Sequence, residues 1–254
     1  MKNMQQKKQI HIEVHFTPNH LDEMQLKDKN IVIIDVLRAS TTIVTALHHG
    51  AKEIIPVSTV ENAVKISGSL FGDVTLRAGE RNAKMIEGFN LGNSPSEYTE
   101  EVVKGKSIIL MTTNGSVAIV KGKHAQHLVV AGFVNMRPVV QFMGELESDF
   151  MIICAGKENH FCLEDAVCAG RIINELEKNY KSDFVLDDAA VAASTLDKTF
   201  GKNILKMLKS SEHGQYLTSI GFGDDLKVCS EIDSMDALPT LVGNILRSGK
   251  KPAA

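Results

Sequence analysis

Short β-branched runs alternate along the chain with segments whose apolar residues recur at helical spacing. Residues 10–16 alternate apolar and polar positions and predict a strand with one wet face. Residues 31–36 (IVIIDV) are an apolar run that holds an acid near its end, the pattern of a strand buried on both faces. Further runs at 53–57, 74–77, 107–111, 127–131 and 149–154 predict strands, with helices over 41–49, 60–70, 95–103, 115–121, 135–147 and 163–179. Strands alternating with helices place the chain in the α/β class, a layered α/β/α fold with a largely parallel or mixed sheet. The last third differs. Residues 186–221 read as mostly helical, 226–229 as a strand, 238–247 as a C-terminal helix, and the tail from Ser248 as frayed. With no repeat and no low-complexity linker, residues 1–254 are expected to form one compact unit or two closely packed α/β subdomains, about 1–150 and 151–250.

Composition narrows the chemistry. Hydrophobic residues make up 43% of the 254 positions, charged residues 23% and aromatics 5%, with no Trp. These are globular proportions, and they offer no aromatic platform for single-stranded nucleic acid. The net charge of -3 is a poor match to a phosphate backbone. Four cysteines, Cys154, Cys162, Cys168 and Cys229, show neither CxxC nor zinc-finger spacing. The N-terminal stretch lacks the apolar region of a signal peptide, and no apolar run reaches membrane-spanning length. The expectation is a reduced cytoplasmic protein with no nucleic-acid or membrane partner. Whether it forms a homo-oligomer is left open by the residues.

In open α/β sheets ligands gather at the carboxyl ends of strands. Here those ends carry chemistry. Asp35, Arg38 and Ser40 to Thr42 close the second strand and open a helix. An acid for a cation, an arginine for an anion and free helix N–H groups make a phosphate or metal corner; an N-cap with a surface ion pair is the structural alternative. Glu80 and Arg81 follow Gly79, and the loop 88–95 (GFNLGNSP) brings Asn93 and Ser94 to a helix start. Thr113, Asn114 and Gly115 stand at the next strand-to-helix junction, where backbone N–H groups can cradle an anion. Gly156 follows the 149–154 run, and Glu164 and Asp165 open a long helix. Adjacent carboxylates suit a hard cation such as Mg²⁺ or simply the helix dipole. Cys154 has no basic neighbour to activate it. Carboxylates for a divalent ion and arginines for an anion, with no redox signature, read together as phosphate-ester chemistry. Three alternatives fall away: no GxGxxG follows a strand, no GxSxG elbow is present, and no P-loop occurs. Leu37, two residues after Asp35, also excludes the DxD start of the haloacid dehalogenase phosphatases.

The set HFTP (15–18), DVLRASTT (35–42), GER (79–81), GFNLGNSP (88–95), TTNG (112–115), CAG (154–156), LEDAVCAG (163–170), SEHG (211–214) and DDLKVC (224–229) resembles the 2-phosphosulfolactate phosphatase family. The resemblance runs from about residue 10 to 239, nearly the whole chain. It implies an α/β fold with its own topology and a Mg²⁺-dependent acid phosphatase. Its reaction would convert 2-phospho-3-sulfolactate to 3-sulfolactate and phosphate, a step towards coenzyme M. The family pattern has glycines near Asn82 and Ala83 and often Asp at Asn90, so this chain departs from it there.

On that resemblance, the expected metal ligands are Asp35, Glu80, Glu164 and Asp165. The expected catalytic set is Asp35, Glu80, Asp165 and His213, with His213 a donor to the leaving alkoxide or a helix-cap histidine. Arg38 and Arg81 would clamp substrate anions, joined by Ser40, Asn93, Ser94, Thr113, Asn114, Gly115 and Gly156. The nucleophile is either metal-activated water or a carboxylate, with Asp35 the best covalent candidate. Two rivals remain. One is a phosphatase of another 2-phospho acid such as phospholactate or phosphoglycolate. The other is a non-catalytic binder of a phosphorylated or sulfonated metabolite, which would gain little from the carboxylates.

Overall fold

The computed structural model describes residues 8–69 and 75–249. Leu70 and Val74, expected at a helix end and a strand start, lie outside the described residues, as do residues 1–7 and the tail from Lys250. The described residues form eleven strands: β1 (Gln9–His15), β2 (Asn30–Ile34), β3 (Glu53–Val57), β4 (Thr75–Arg81), β5 (Lys84–Met85), β6 (Ser107–Met111), β7 (His127–Ala131), β8 (Phe150–Cys154), β9 (Asp183–Leu186), β10 (Pro239–Val242) and β11 (Ile245–Ser248). They carry eleven α-helices: α1 (Glu23–Leu26), α2 (Ala39–His48), α3 (Val60–Ser69), α4 (Glu100–Val103), α5 (Gly115–Lys121), α6 (Met136–Leu146), α7 (Leu163–Asn179), α8 (Asp188–Phe200), α9 (Ile204–Ser210), α10 (Glu212–Ser219) and α11 (Asp225–Cys229).

All the strands join one mixed sheet, in the order β5-β4-β6-β3-β11-β10-β7-β2-β8-β1-β9. The pairings of β1, β2, β7, β8 and β9 with one another, and of β3, β4 and β6, are parallel. Between these groups the antiparallel hairpin β10–β11 inserts, touching β7 through Thr240 and Val129 and β3 through Leu246 and Ile54. The core divides by strand alternation. Val32, Ile34, Val129, Ala131, Ile152 and Cys154 pack into one apolar cluster, and Ile31, Ile33, Leu128, Val130, Met151 and Ile153 into the other. Both faces of β2, β7 and β8 are therefore dry, which is why their sequences are nearly unbroken apolar runs.

Several sequence expectations are corrected. Residues 226–229 are not a strand but most of α11. A four-residue apolar run fits either period, and buried Asp225, held by Arg38 and Ser94, fixes it as a helical turn. Residues 238–247 are not a helix. Leu241, Val242, Ile245 and Leu246 have helical spacing, but the segment forms β10–β11 around Gly243 and Asn244, with Gly243 at φ 64°. β-branched residues flanking a glycine turn favour a hairpin, and the gap between β7 and β3 supplies the partners that select it. Ser248 and Gly249 are not frayed: Ser248 ends β11, and the Gly249 N–H donates to the Leu238 carbonyl at 2.8 Å. β9, absent from the expected strands, ends where the segment expected to be helical begins at 186, and the helix expected over 95–103 is a 3-10 turn, Pro95–Glu97, followed by α4.

Candidate active site

The carboxyl ends of β2 and β8 lie on one side of the hairpin and those of β4 and β6 on the other, yet their loops meet at one cavity. It has a volume of about 210 Å³, and its walls include Asp35, Arg38, Glu80, Thr113, Lys157 and His213.

Asp35 follows β2 and is framed by its own turn. Its N–H donates to Ser40 Oγ at 2.8 Å, its carbonyl accepts the Ser40 N–H at 2.8 Å, and Oδ1 accepts the Ala39 N–H at 3.2 Å. Oδ2 sits against Gly115, where an added Cβ would lie 2.6 Å away. Gly115 is thus a glycine because the first turn of α5 passes over this carboxylate. Glu80, at the end of β4, accepts the Thr113 N–H at 2.7 Å on Oε1 and the Ala83 N–H at 2.8 Å on Oε2. Asp165 accepts the Val36 N–H at 2.9 Å on Oδ1 and the Gly156 N–H at 3.1 Å on Oδ2. It thereby staples the turn after β2 to the turn after β8.

Glu164 is different. It is 1% exposed, and Oε1 lies 3.4 Å from His213 Nδ1. Among the described residues no N–H other than that of the His213 ring approaches its carboxylate. His213 enters from the first turn of α10, whose N-cap Ser211 accepts the Gly214 N–H at 3.1 Å.

Four carboxyl groups, Asp35, Glu80, Glu164 and Asp165, are therefore all buried. Such a cluster is unstable as bare charge. Burial is the chief cause that raises the Asp35 carboxyl to about 6; Glu80 and Glu164 push the same way, while His213 and the Ala39 N–H oppose it. Burial pushes Asp165 well above the usual carboxylate range, reinforced by the charges of Asp35 and Glu164. Carboxylate oxygens are the ligands a hard divalent cation takes, and Asp35 and Glu80 stand in the cavity wall. Burial also pushes all four thiols up, so none is poised as a thiolate nucleophile.

Of the predicted substrate contacts, Arg38, Asn93, Thr113 and Asn114 line the cavity. Arg38 is committed elsewhere: it donates to Asp225 Oδ2 and to the Ala83 carbonyl, both at 2.7 Å, and lies 4.2 Å over the Phe222 ring. Ser40 frames Asp35, Ser94 Oγ donates to Asp225 Oδ1 at 2.6 Å, and Gly156, at φ 66°, supports Asp165; none of these three is in the cavity wall. Arg81 is exposed and also lies outside the wall. A residue that closes β4 alternates away from its neighbour Glu80, so only one of the pair can face inward. Asn90 Oδ1 accepts the Arg77 N–H at 2.9 Å, a turn role that requires no charge. Asn82 and Ala83, where the family pattern has glycines, have φ of 53° and 61°, the left-handed region in which glycine is unstrained.

The sequence reading missed Lys157, Tyr216 and Asn82, which also line the cavity. The Lys157 ammonium lies 4.8 Å above the Tyr216 ring and 3.5 Å from exposed Glu212, a weak surface pairing that leaves its charge available. Its position directly after Cys-Ala-Gly at a strand end was the available signal. Tyr216 and Asn82 had none, because α10 and the turn after β4 meet only in the folded chain, where Tyr216 Oη donates to the Asn82 carbonyl at 3.2 Å.

Among the described residues no helix is long and apolar enough to cross a membrane. The 2-phosphosulpholactate phosphatase family profile matches residues 15–244. The chain is 39% identical over 239 residues to a probable 2-phosphosulfolactate phosphatase of Caldanaerobacter subterraneus subsp. tengcongensis, an alignment covering 94% of this chain and 98% of that protein. It is 37% identical over 228 residues to a protein of the same description from Clostridium novyi, covering 90% of this chain and 95% of that one. A third, from Thermotoga maritima, is 39% identical over 217 residues, covering 85% and 91%. With this extent of match and with the motif residues gathered at one cavity, the chain belongs to the 2-phosphosulfolactate phosphatase family, and it is a phosphoric monoester hydrolase.

Proposed function

We propose that the chain hydrolyses 2-phospho-3-sulfolactate to 3-sulfolactate and phosphate, with Mg²⁺ as its cofactor, in a reducing cytoplasm and on a route to coenzyme M. The observation that carries this reading is the cluster of four buried carboxyl groups beside a small cavity that also holds an available ammonium. Asp35 and Glu80, the two carboxylates in the cavity wall, would hold the ion, with Asp165 fixing the turns that present them. When bound, Mg²⁺ supplies positive charge to phosphoryl oxygens. Four free, buried cysteines support the reducing compartment.

The chain's own groups divide the remaining work. Lys157 pairs with an anionic arm of the substrate, as a compact point charge suits. Asn93 lines the same cavity, where its side-chain NH2 is the group able to donate to a substrate oxygen. Asp35 is the carboxylate placed to attack phosphorus, its basicity raised by desolvation. Glu164 faces His213 Nδ1, which leaves Nε2 to give a proton to the departing alkoxide oxygen.

Phosphate release from 2-phosphosulfolactate, measured with Mg²⁺ and then with excess EDTA beside phospholactate and phosphoglycolate, tests the reading. Release that needs the metal and favours the sulfonate is expected. Ligand binding that survives chelation, with no phosphate from any of the three, would make the cavity a binding site instead. Lys157→Ala is expected to raise KM by about 10- to 100-fold, the worth of one charge-assisted contact. Arg81→Ala is expected to change it by no more than about twofold, as for an ordinary surface substitution. The reverse ranking would restore Arg81 as the clamp.

A further inference from the structure

We propose that Cys162, Glu164 and His213 form a binding site for one thiophilic divalent ion of the zinc class, at the edge of the active-site cavity. One donor atom from each, a thiol sulfur, a carboxylate oxygen and an imidazole nitrogen, lies within 4.8 Å of the other two. His213 Nδ1 and Glu164 Oε1 are 3.4 Å apart. Two ligands about 2.0–2.1 Å from a tetrahedral ion stand roughly 3.3–3.4 Å apart, so this pair already has the edge length of such a site. The sulfur must close by at most roughly 1.3 Å to meet the longer zinc–sulfur geometry.

Glu164 makes the second argument. The carboxylates of Glu80 and Asp165 each accept two backbone N–H groups, whereas among the described residues Glu164, 1% exposed, accepts none and has the His213 imidazole and the Cys162 thiol as its neighbours. A buried carboxylate with its lone pairs unspent is a ready cation ligand. Access exists as well. Cys162, Glu164 and His213 together line a second cavity of about 510 Å³, which shares Lys157, Glu158 and His213 with the first.

The donor set decides the class of ion. Magnesium takes oxygen ligands and would not use a thiol. A mixed sulfur, nitrogen and oxygen set selects zinc, cobalt or cadmium, and three protein ligands leave a fourth position open. On binding, the Cys162 Sγ–H bond breaks, the sulfur coordinates and its proton leaves to solvent. If the phosphatase reading above holds, the ion also occupies His213 and Glu164 and stops turnover.

The test uses the full chain, reduced and purified, titrated with Co²⁺ and with Cd²⁺ in the presence of Mg²⁺. One equivalent per chain is expected, with a sulfur-to-metal charge-transfer band for both ions and the visible bands of four-coordinate Co²⁺. Cys162 is the N-cap of α7, a position that serine suits well, so Cys162→Ser is expected to stay folded. That variant should lose the band and bind Cd²⁺ at least about 10-fold more weakly, and Glu164→Gln should weaken binding while keeping the band. No band at one equivalent in folded protein, or an undiminished band in Cys162→Ser, overturns the site. A band with no inhibition of phosphate release by Zn²⁺ leaves the site standing and removes His213 and Glu164 from the proposed reaction.

Discussion

Asp35→Asn is expected to lower kcat by about 10³-fold or more, as loss of a central catalytic carboxylate does, and at the same time to stabilise the metal-free protein above pH 6. Both effects follow from one arrangement. The carboxylate is buried beside Glu80 and Glu164, and its folded pKa of about 6 stands above the ordinary 3.8. Between those values the native state binds more protons than the unfolded state, so stability falls as pH rises from about 4 to about 6. The loss is complete once Asp35 is ionised. Asp165, shifted in the same direction, adds to the loss. Asparagine removes the charge yet can still accept the Ala39 N–H. Thermal melts at pH 5 and pH 8, with and without Mg²⁺, read the outcome. The native protein should gain more from Mg²⁺ at pH 8, and Asp35→Asn should flatten both the pH dependence and the gain. If the variant keeps a tenth or more of native kcat, Asp35 is not at the reaction centre. A phospho-adduct trapped on Asp35 would support attack by the carboxylate. Transfer of ¹⁸O directly from water in a single turnover, with no protein oxygen in the product, would rule it out.

Arg38→Ala is expected to cost about 3–5 kcal/mol of stability, the usual consequence of leaving one partner of a buried ion pair alone. The side chains of Arg38 and Asp225 are 2% and 5% exposed and meet at 2.7 Å. Asp225 also accepts from Ser94, so three separate segments of the chain, at 38, 94 and 225, close on one carboxylate. For a chain of this length the melting temperature should fall by roughly 10 °C. Activity falls too, because Arg38 holds the carbonyl of Ala83, whose N–H in turn orients Glu80. Replacing both partners, Arg38→Met with Asp225→Leu, should recover much of the stability, since a well-packed apolar pair avoids the desolvation of two charges. A clamp on the substrate would behave differently. Arg38→Ala would then raise KM and leave the melting temperature in place.

The strands of the two parallel groups were legible because both faces of β2, β7 and β8 are dry, and long β-branched runs have few other uses. The acids and amides at their ends were legible because a parallel sheet directs all its carboxyl ends to one edge, so Asp35, Glu80, Thr113 and Asn114 were found together in the walls of one cavity. Local pattern failed where two structures share one spacing. Residues 226–229 and 238–247 satisfy strand and helix alike, and the buried anchor at Asp225 and the open gap between β7 and β3 made the choice. The partners of Arg38 and the direction of Arg81 were not legible either. Arginine's chemistry marks both as anion ligands, but a fixed turn carries Arg38 to Asp225 and strand alternation turns Arg81 to solvent. Lys157, Tyr216 and the pairing of Glu164 with His213 depend on α10 packing beside the loop after β8, a contact between residues about fifty positions apart in the chain. The sequence by itself determined the family and the class of fold, and it named four acids that the fold buries, since these rest on residue type and local period. Only the tertiary structure decided which polar groups are spent holding one another and which are left facing the cavity, because hydrogen-bond partners and burial are properties of segments brought together from across the chain.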